Sequence, residues 1–406
     1  MERDTYLVLR VTGASVAGPD TPGDTAWRSG EVLGGALEVE YQVETQALDP
    51  KESGELRRDP QVRAIARPLP LRLIEPIPAS EAPAAPEQSA DATWGVLVTG
   101  ALESPYTGRG VTVAVLDTGI DAGHEAFAGV ELVQQDFTGE GDGDQDGHGT
   151  HVAGTIFGQE AQGMRIGVAP GVRRALIGKV LGVERSATTA ELVRAIQWAV
   201  DGGAHIINMS LGIDFPRLVQ ILVEQGLPVD LATSQALAEY RDNVRFFDRA
   251  AALWRVPSAQ LPSALIVAAA GNESKRSVHP RYTIDVSLPA ATDGVVSVAA
   301  LQSAGPPHDL LTVAPFSNVR ANVAGPGVGV VSAQAGGGYV AFSGTSMASP
   351  HVAGVAALWA ERQLQLDGVM SVNALASRLV GPPRRDRLGD ARPNDVGEGL
   401  VVAPRS

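Results

Sequence analysis

Three polar residues stand where a packing residue would be expected. Asp117 ends the apolar run "VAVLD" and is followed by the turn Thr118-Gly119. His148 lies in "DGHGTHVAGTIFG", between glycines and ahead of a small apolar run that reads as a helix. Ser346 sits in "FSGTSMASPHVAG", between a glycine-threonine turn and another helical run. A serine hydroxyl is a weak nucleophile until a base takes its proton and an acid holds that base in one tautomer. A strand's carboxyl end and two helix starts are places from which such groups can reach a common cleft. Singly, each context is ordinary: Asp117 also suits a residue that caps the following turn. Together, in the order Asp, His, Ser, they match one of the known arrangements for acyl transfer. A lipase-type elbow would need G-x-S-x-G and the order Ser, Asp, His, which the chain lacks.

Other polar residues nearby suggest less. His151 follows His148 at a metal-pair spacing, but the sequence is not H-E-x-x-H, so it reads as a packed residue. Asp142, Asp144 and Asp146 alternate in the glycine-rich "GEGDGDQDGHG", a set of hard oxygen donors suited to structural calcium, though without the closing glutamate of an EF-hand loop. There are 0 cysteines, hence no disulfide, thiolate site or cysteine nucleophile.

The elements that must position these groups alternate. Runs at 111–119, 175–181, 205–212, 264–272 and 295–301 read as strands buried on both faces, and 189–200 has helical spacing between two of them. That pattern implies a parallel sheet covered on both sides, with functional groups at the strands' carboxyl ends. Residues 213–263 exceed a simple crossover. Within them Leu237, Tyr240, Val244, Phe247, Ala251 and Trp254 mark one face of a long helix, packed on its own domain or offered to a partner. Before all this lies a small α+β segment, 1–78. It has alternating Leu37, Val39, Tyr41 and Val43, a short polar helix, and a second strand at Val62–Ile65. Residues 79–93, rich in Pro, Ala and Glu, read as a solvated linker to a domain at 94–406.

The formal net charge of -14 is spread along the chain, which argues against a nucleic-acid partner. No run approaches the roughly 18 apolar residues of a membrane span, and the charged N-terminus shows no signal-peptide core. By sequence alone the chain reads as soluble and cytoplasmic.

With the motifs "AVLDTGID", "HGTHVAGT" and "GTSMASPHVAG", and with "INMSLG", "AAAGN" and "APFSN", the chain from about Trp94 to Ala403 resembles the subtilisin-like serine proteases, the subtilases. The resemblance implies a three-layer α/β fold and a serine endopeptidase that needs no cofactor for its chemistry. It implies that Asp117 orients His148, the general base, and that Ser346 is the nucleophile. Asn272 of "AAAGN" would donate to the oxyanion together with the Ser346 backbone N–H. Ser210, Leu211 and Gly212 would hold a protein or peptide substrate as an added strand, while Ala269, Ala270 and Gly271 wall a pocket for an apolar or aromatic side chain. That pocket's far end would lie near 287–291. Family members often carry structural calcium near the acidic loop and are mostly secreted, unlike the cytoplasmic reading of this N-terminus. The segment "LDPKESGELRRDPQVRAIARPLPL" resembles the second half of a subtilase propeptide, an inhibitor of the cleft, with self-cleavage expected between about Ile77 and Thr93. The first half, "TGASVAGPDTPGDTAWRSGEVLGG", shows no expected helix. Activity should rise with pH as His148 deprotonates, with an apparent pKa on the order of 6.5 to 7.5. The rival expectation is a catalytically silent scaffold of the same fold that binds a protein.

Overall fold

The computed structural model describes residues 3–16, 37–78, 80–83, 91–160, 163–256, 263–305, 308–381, 384–389 and 391–406. Most of the first-half segment, whose sequence shows no helix where the resemblance leads one to expect it, lies outside them (residues 17–35).

Strand β1 (Asp4–Val16) pairs antiparallel with β2 (Leu37–Leu48); α1 (Pro50–Leu56) follows, and β3 (Val62–Ala66) returns along β1, giving the order β2-β1-β3. The expected strands at 37–43 and 62–65 and the short helix are present, and β1 is an addition. Helix α1 starts where Asp49 accepts from the Lys51 and Glu52 amides while Glu52 reaches back to the Asp49 amide, a reciprocal cap. The period of two splits β1 cleanly. Tyr6 and Val8 pack with Leu48 and Ile65 in a core of the unit's own, while Leu7 and Leu9 join the apolar cluster of the larger domain.

The next strand, β4 (Pro70–Leu73), lies inside the segment expected to be a separate module, yet it belongs to another sheet and is treated with the site. The expected solvated linker also ends early. Ala92 and Thr93 are buried, and the Thr93 amide donates to the Arg165 carbonyl (3.0 Å), just before α2 (Trp94–Val98).

In chain order there follow β5 (Thr112–Asp117), β6 (Glu131–Asp136), α3 (His148–Phe157), β7 (Arg174–Lys179), β8 (Ser186–Thr188), α4 (Thr189–Asp201), β9 (Ile206–Met209), β10 (Leu211–Ile213), α5 (Phe215–Glu224), α6 (Val229–Trp254), β11 (Leu265–Ala269), β12 (Val295–Ser303), β13 (Leu311–Val313), β14 (Val323–Pro326), β15 (Val330–Ala333), β16 (Tyr339–Phe342) and α7 (Thr345–Asp367). The main sheet runs β13-β12-β11-β9-β5-β7-β6, with β14 also on β12, and is parallel except for the pair β12 and β13. Alternation along β5 explains why its whole run is apolar. Val113 and Val115 face Val152, Ile156 and Val352 of α3 and α7, whereas Ala114 and Leu116 face Leu192, Ile196 and Phe246 of α4 and α6. These are the expected three layers.

The long helix exists and turns the expected face inward except at Leu237. Ala232, Ala236, Asn243, Phe246, Phe247, Ala250, Ala251 and Trp254 are buried, Tyr240 and Val244 are half-buried, and Leu237 is 56% exposed. The small Ala232 and Ala236 sit inside near the helix start, and Leu237 is turned outward. Helix α6 also holds the N-terminal unit. Asn243 Nδ2 donates to the Arg67 carbonyl (2.8 Å), Arg67 pairs with Glu239 (3.3 Å) and Asp4, and Arg57 with Asp242 (3.0 Å). Among the described residues no helix is long and apolar enough to cross a membrane.

Candidate active site

Asp117, at the carboxyl end of β5, is buried, and its Oδ1 accepts from the Thr118 amide (2.8 Å) and from His148 Nδ1 (2.7 Å). A carboxylate only accepts, so the His148 proton sits on Nδ1 and Nε2 is left as the acceptor. His148 opens α3, preceded by Gly147 at φ 95°, a conformation that favours glycine. Gly149 lies against Gly119: a Cβ on Gly149 would fall 2.2 Å from the Gly119 carbonyl oxygen, so the two turns meet only as glycines. Burial pushes the His148 pKa down, but the charge and hydrogen bond of Asp117, with Asp146 and Asp144 beyond, outweigh it and leave the imidazole above its ordinary value.

The acidic loop is used differently from the calcium expectation. Asp144 Oδ1 accepts from Thr118 Oγ1 (2.9 Å) and the amides of Asp146 (3.1 Å) and Gly147 (2.8 Å); Oδ2 accepts from the Thr150 amide (2.9 Å) and Oγ1 (2.6 Å). This carboxylate buckles the turn after Asp117 to the start of α3. Asp146 pairs with Arg185 (2.5 Å), and Asp142 is exposed. The three aspartates therefore do not converge on an ion, and among the described residues no three acidic or histidine groups do. The donor set does not fit calcium, because the oxygens of Asp144 and Asp146 already serve protein donors. His151 is packed as expected. Its Nε2 donates to the Val330 carbonyl (2.9 Å), its ring stacks on Phe342, and burial lowers its pKa to about 3.

Ser346 is buried in the first turn of α7. Its Oγ donates to the carbonyl of Ile74 (2.8 Å), and His148 Nε2 has no hydrogen-bond partner among the described residues. Asn272 follows β11, which ends at the buried Ala269, through the tightly packed turn of Ala270 and Gly271. Gly271 has φ 108°, and a Cβ there would meet Asn318 Nδ2 at 2.3 Å. The Asn272 carboxamide is fixed from behind, its Oδ1 accepting from the Thr345 amide and Oγ1 (both 2.9 Å), so Nδ2 points forward and donates to the Glu75 carbonyl (2.8 Å). Asn318, from "APFSN", braces this turn, donating to the Ala270 carbonyl (3.1 Å) and accepting from the Glu273 and Ser274 amides.

The occupant of the cleft is the chain itself. Strand β4 lies antiparallel between β10 and β8, with Leu73 opposite Leu211, Arg72 opposite Gly212 and Leu71 opposite Ile213. The Leu73 amide donates to the Arg185 carbonyl (3.0 Å) and the Ile74 amide to the Ser210 carbonyl (3.3 Å). Ile74 lies over Gly212, where a Cβ would stand 3.7 Å from its side chain. Past the serine the chain stays bound, the Ile77 amide donating to the Ser343 carbonyl (2.7 Å). The peptide bond at Ser346 is thus Ile74–Glu75, upstream of the 77–93 window read from the linker's composition. Arg185, Asn318 and Thr345 were not singled out from sequence, and Asp144 was singled out only as a calcium donor; Asn318 and Thr345 lie in motifs quoted for the resemblance.

The three-layer fold, with Asp117 at the end of β5 and His148 and Ser346 in the first turns of α3 and α7, is of the subtilisin type. The chain belongs to the Subtilase family, whose pattern matches residues 108–382. It is 32% identical to the thermostable alkaline protease of Halalkalibacterium halodurans over 77% of this chain and 70% of that one. It is likewise 32% identical to subtilisin Savinase of Lederbergia lenta, over 76% and 96%. A solved cold-adapted subtilisin-like serine proteinase superposes with a TM-score of 0.51 at 28% identity, covering 75% of this chain and 92% of that one. The protein is a subtilisin-like serine endopeptidase acting on peptides or proteins, and the silent-scaffold alternative is not favoured.

Proposed function

We propose that the protein cuts peptide bonds through an acyl-enzyme on Ser346 and that its first substrate is its own Ile74–Glu75 bond. Ser346 Oγ attacks the carbonyl carbon of the bound residue while His148 Nε2 takes the hydroxyl proton. Asp117 holds the Nδ1 tautomer and stabilises the imidazolium that forms. The Asn272 amide and the Ser346 backbone N–H receive the oxyanion, charge that exists only in the transition state. The carbon–nitrogen bond then breaks, the leaving nitrogen takes the proton from His148, and water repeats the sequence to free the acid.

The observation that carries this reading is the lie of Leu71–Ile74 as an added strand, ending with the Ile74 carbonyl on the Ser346 hydroxyl. Asn272 holds the next carbonyl, that of Glu75, which precedes Pro76. In this arrangement the attacked carbonyl is outside the oxyanion donors, so the intact strand acts as an inhibitor. Moving the Ile74 carbonyl into that position starts the reaction. Intact-mass measurement of wild type and Ser346→Ala during incubation tests it. A wild-type fragment ending at Ile74, absent from the variant, is the expected result. A cut elsewhere moves the self-processing site, and fluorophosphonate labelling that survives in Ser346→Ala overturns the nucleophile.

A further inference from the structure

The side chain just beyond the serine meets a group that the chemistry of the triad does not need. We infer that the cleft selects an acidic residue immediately after the bond it cuts, and that Arg185 is the residue that reads it. The inference rests on the proposed assignment of Ser346 and the Ile74–Glu75 bond.

Arg185 has φ 55°, a left-handed conformation that is uncommon for arginine and persists only where its surroundings hold it. Those surroundings are the substrate sheet itself. The Arg185 amide donates to the Gly182 carbonyl (2.8 Å), and its own carbonyl receives the Leu73 amide. The side chain is held as well, because Nε pairs with Asp146 Oδ2 (2.5 Å), whose side chain is only 13% exposed. With one edge fixed, the guanidinium offers Nη1 to Glu75, 3.5 Å from Oε1. A planar fork held on one carboxylate suits the recognition of a second. Asp146 has a further use here. It lies two residues before His148, and pairing it with Arg185 leaves the guanidinium in place without an unbalanced cation beside the base.

The other side of the bond is read differently. Leu71, Leu73 and Ile74 are buried, so the residues before the cut are recognised largely by apolar packing. Charge is read on both sides: Arg72, third before the bond, pairs with Glu273 (3.1 Å) and Asp214 (3.8 Å), and Glu75 after it meets Arg185. Glu75 is 65% exposed on its side chain, which keeps the preference modest and dependent on salt.

The test is competition on the purified full chain between peptides Leu-Arg-Leu-Ile-Xaa-Ala-Ala with Xaa = Glu, Gln or Lys in one mixture. Any residual inhibition by the chain's own strand cancels in the ratio of kcat/KM. We expect Glu to exceed Gln by about two- to fivefold at low ionic strength and to approach parity near ~1 M salt. Arg185→Gln should erase the difference, and Arg185→Lys should keep part of it. Equal rates for the three peptides on wild type, or an undiminished Glu preference in Arg185→Gln, overturns the inference while leaving the proposed chemistry standing. Turnover of no peptide by enzyme whose Ser346 takes the fluorophosphonate overturns the inference too. Failure of that label points instead at the proposed chemistry.

Discussion

Asp144 accepts five hydrogen bonds that tie the turn after Asp117 to the helix that begins with His148. Replacing it with alanine strands two threonine hydroxyls and three amides near a helix start. One capping acceptor is worth about 0.5–2 kcal/mol, and hydrogen bonds to a charged acceptor about 1.5–3 kcal/mol each. These do not add, because Asp144 is half-buried and water can reach part of the gap, so the expected loss is about 2–4 kcal/mol. A chain of 406 residues has an unfolding entropy of roughly 0.9 kcal/mol per kelvin, and the loss becomes a drop of about 2–5 °C in Tm. Activity should fall further than stability. A displacement of His148 by about 1 Å costs on the order of 100-fold in rate. The melt is measured in a Ser346→Ala background to prevent self-digestion, and kcat in the active chain. Millimolar calcium or a chelator should leave both quantities unchanged in wild type. Unaltered Tm and kcat in Asp144→Ala would refute the reasoning, as would restoration of the variant by calcium.

The remaining predictions concern the base and the N-terminal unit. His148 must be neutral to accept a proton, and its pKa is raised, so kcat/KM should rise with pH along a limb lying above 6.5. In Asp117→Asn that limb should move down, because the charge that raises it is gone, and kcat should drop about 10⁴-fold; a limb at unchanged pH would contradict the pairing. The same shift has a stability consequence: the ion pair's contribution is fully present below the unfolded pKa and is lost as pH rises through the folded one. Residues 1–74 alone should show no cooperative melt by circular dichroism, since Leu7 and Leu9 face α4 and α6 and the unit's own core holds Tyr6, Val8, Leu48 and Ile65. Asn243→Ala should weaken inhibition by that fragment roughly 5- to 100-fold, because the Arg67 carbonyl loses its donor and Thr189 Oγ1 its acceptor.

Asp117, His148, Ser346 and Asn272 could be singled out as candidates because each is embedded in a local backbone geometry that few residues satisfy. The left-handed Gly147, the contact of Gly119 with Gly149 and the tight turn at Gly271 leave short, distinctive words in the chain. The buried strands were equally plain, since a strand covered on both faces must be apolar throughout. The inward face of α6 was read incorrectly at Leu237, because helical spacing marks candidate faces while the choice among them depends on how closely the neighbouring layers approach. Asp144 was misread for a related reason. Acidic residues in a glycine-rich loop suit an ion or a set of protein donors alike, and the donors, Thr118 among them, are brought in by the fold.

What the chain points to by itself is the proposed chemistry: the candidate nucleophile, base, orienting acid and oxyanion donor each sit in a motif of their own. What only the tertiary structure decided is where the chain meets that chemistry. Ile74 lies 272 residues from Ser346, and Arg72 and Leu73 join Gly212 and Leu211 of β10 at about half that remove, through backbone hydrogen bonds that almost any residue could make. Such pairing leaves little trace in composition or period. The register that puts Ile74 on the serine and Glu75 beside Arg185 therefore appears once the N-terminal sheet is docked on α4 and α6.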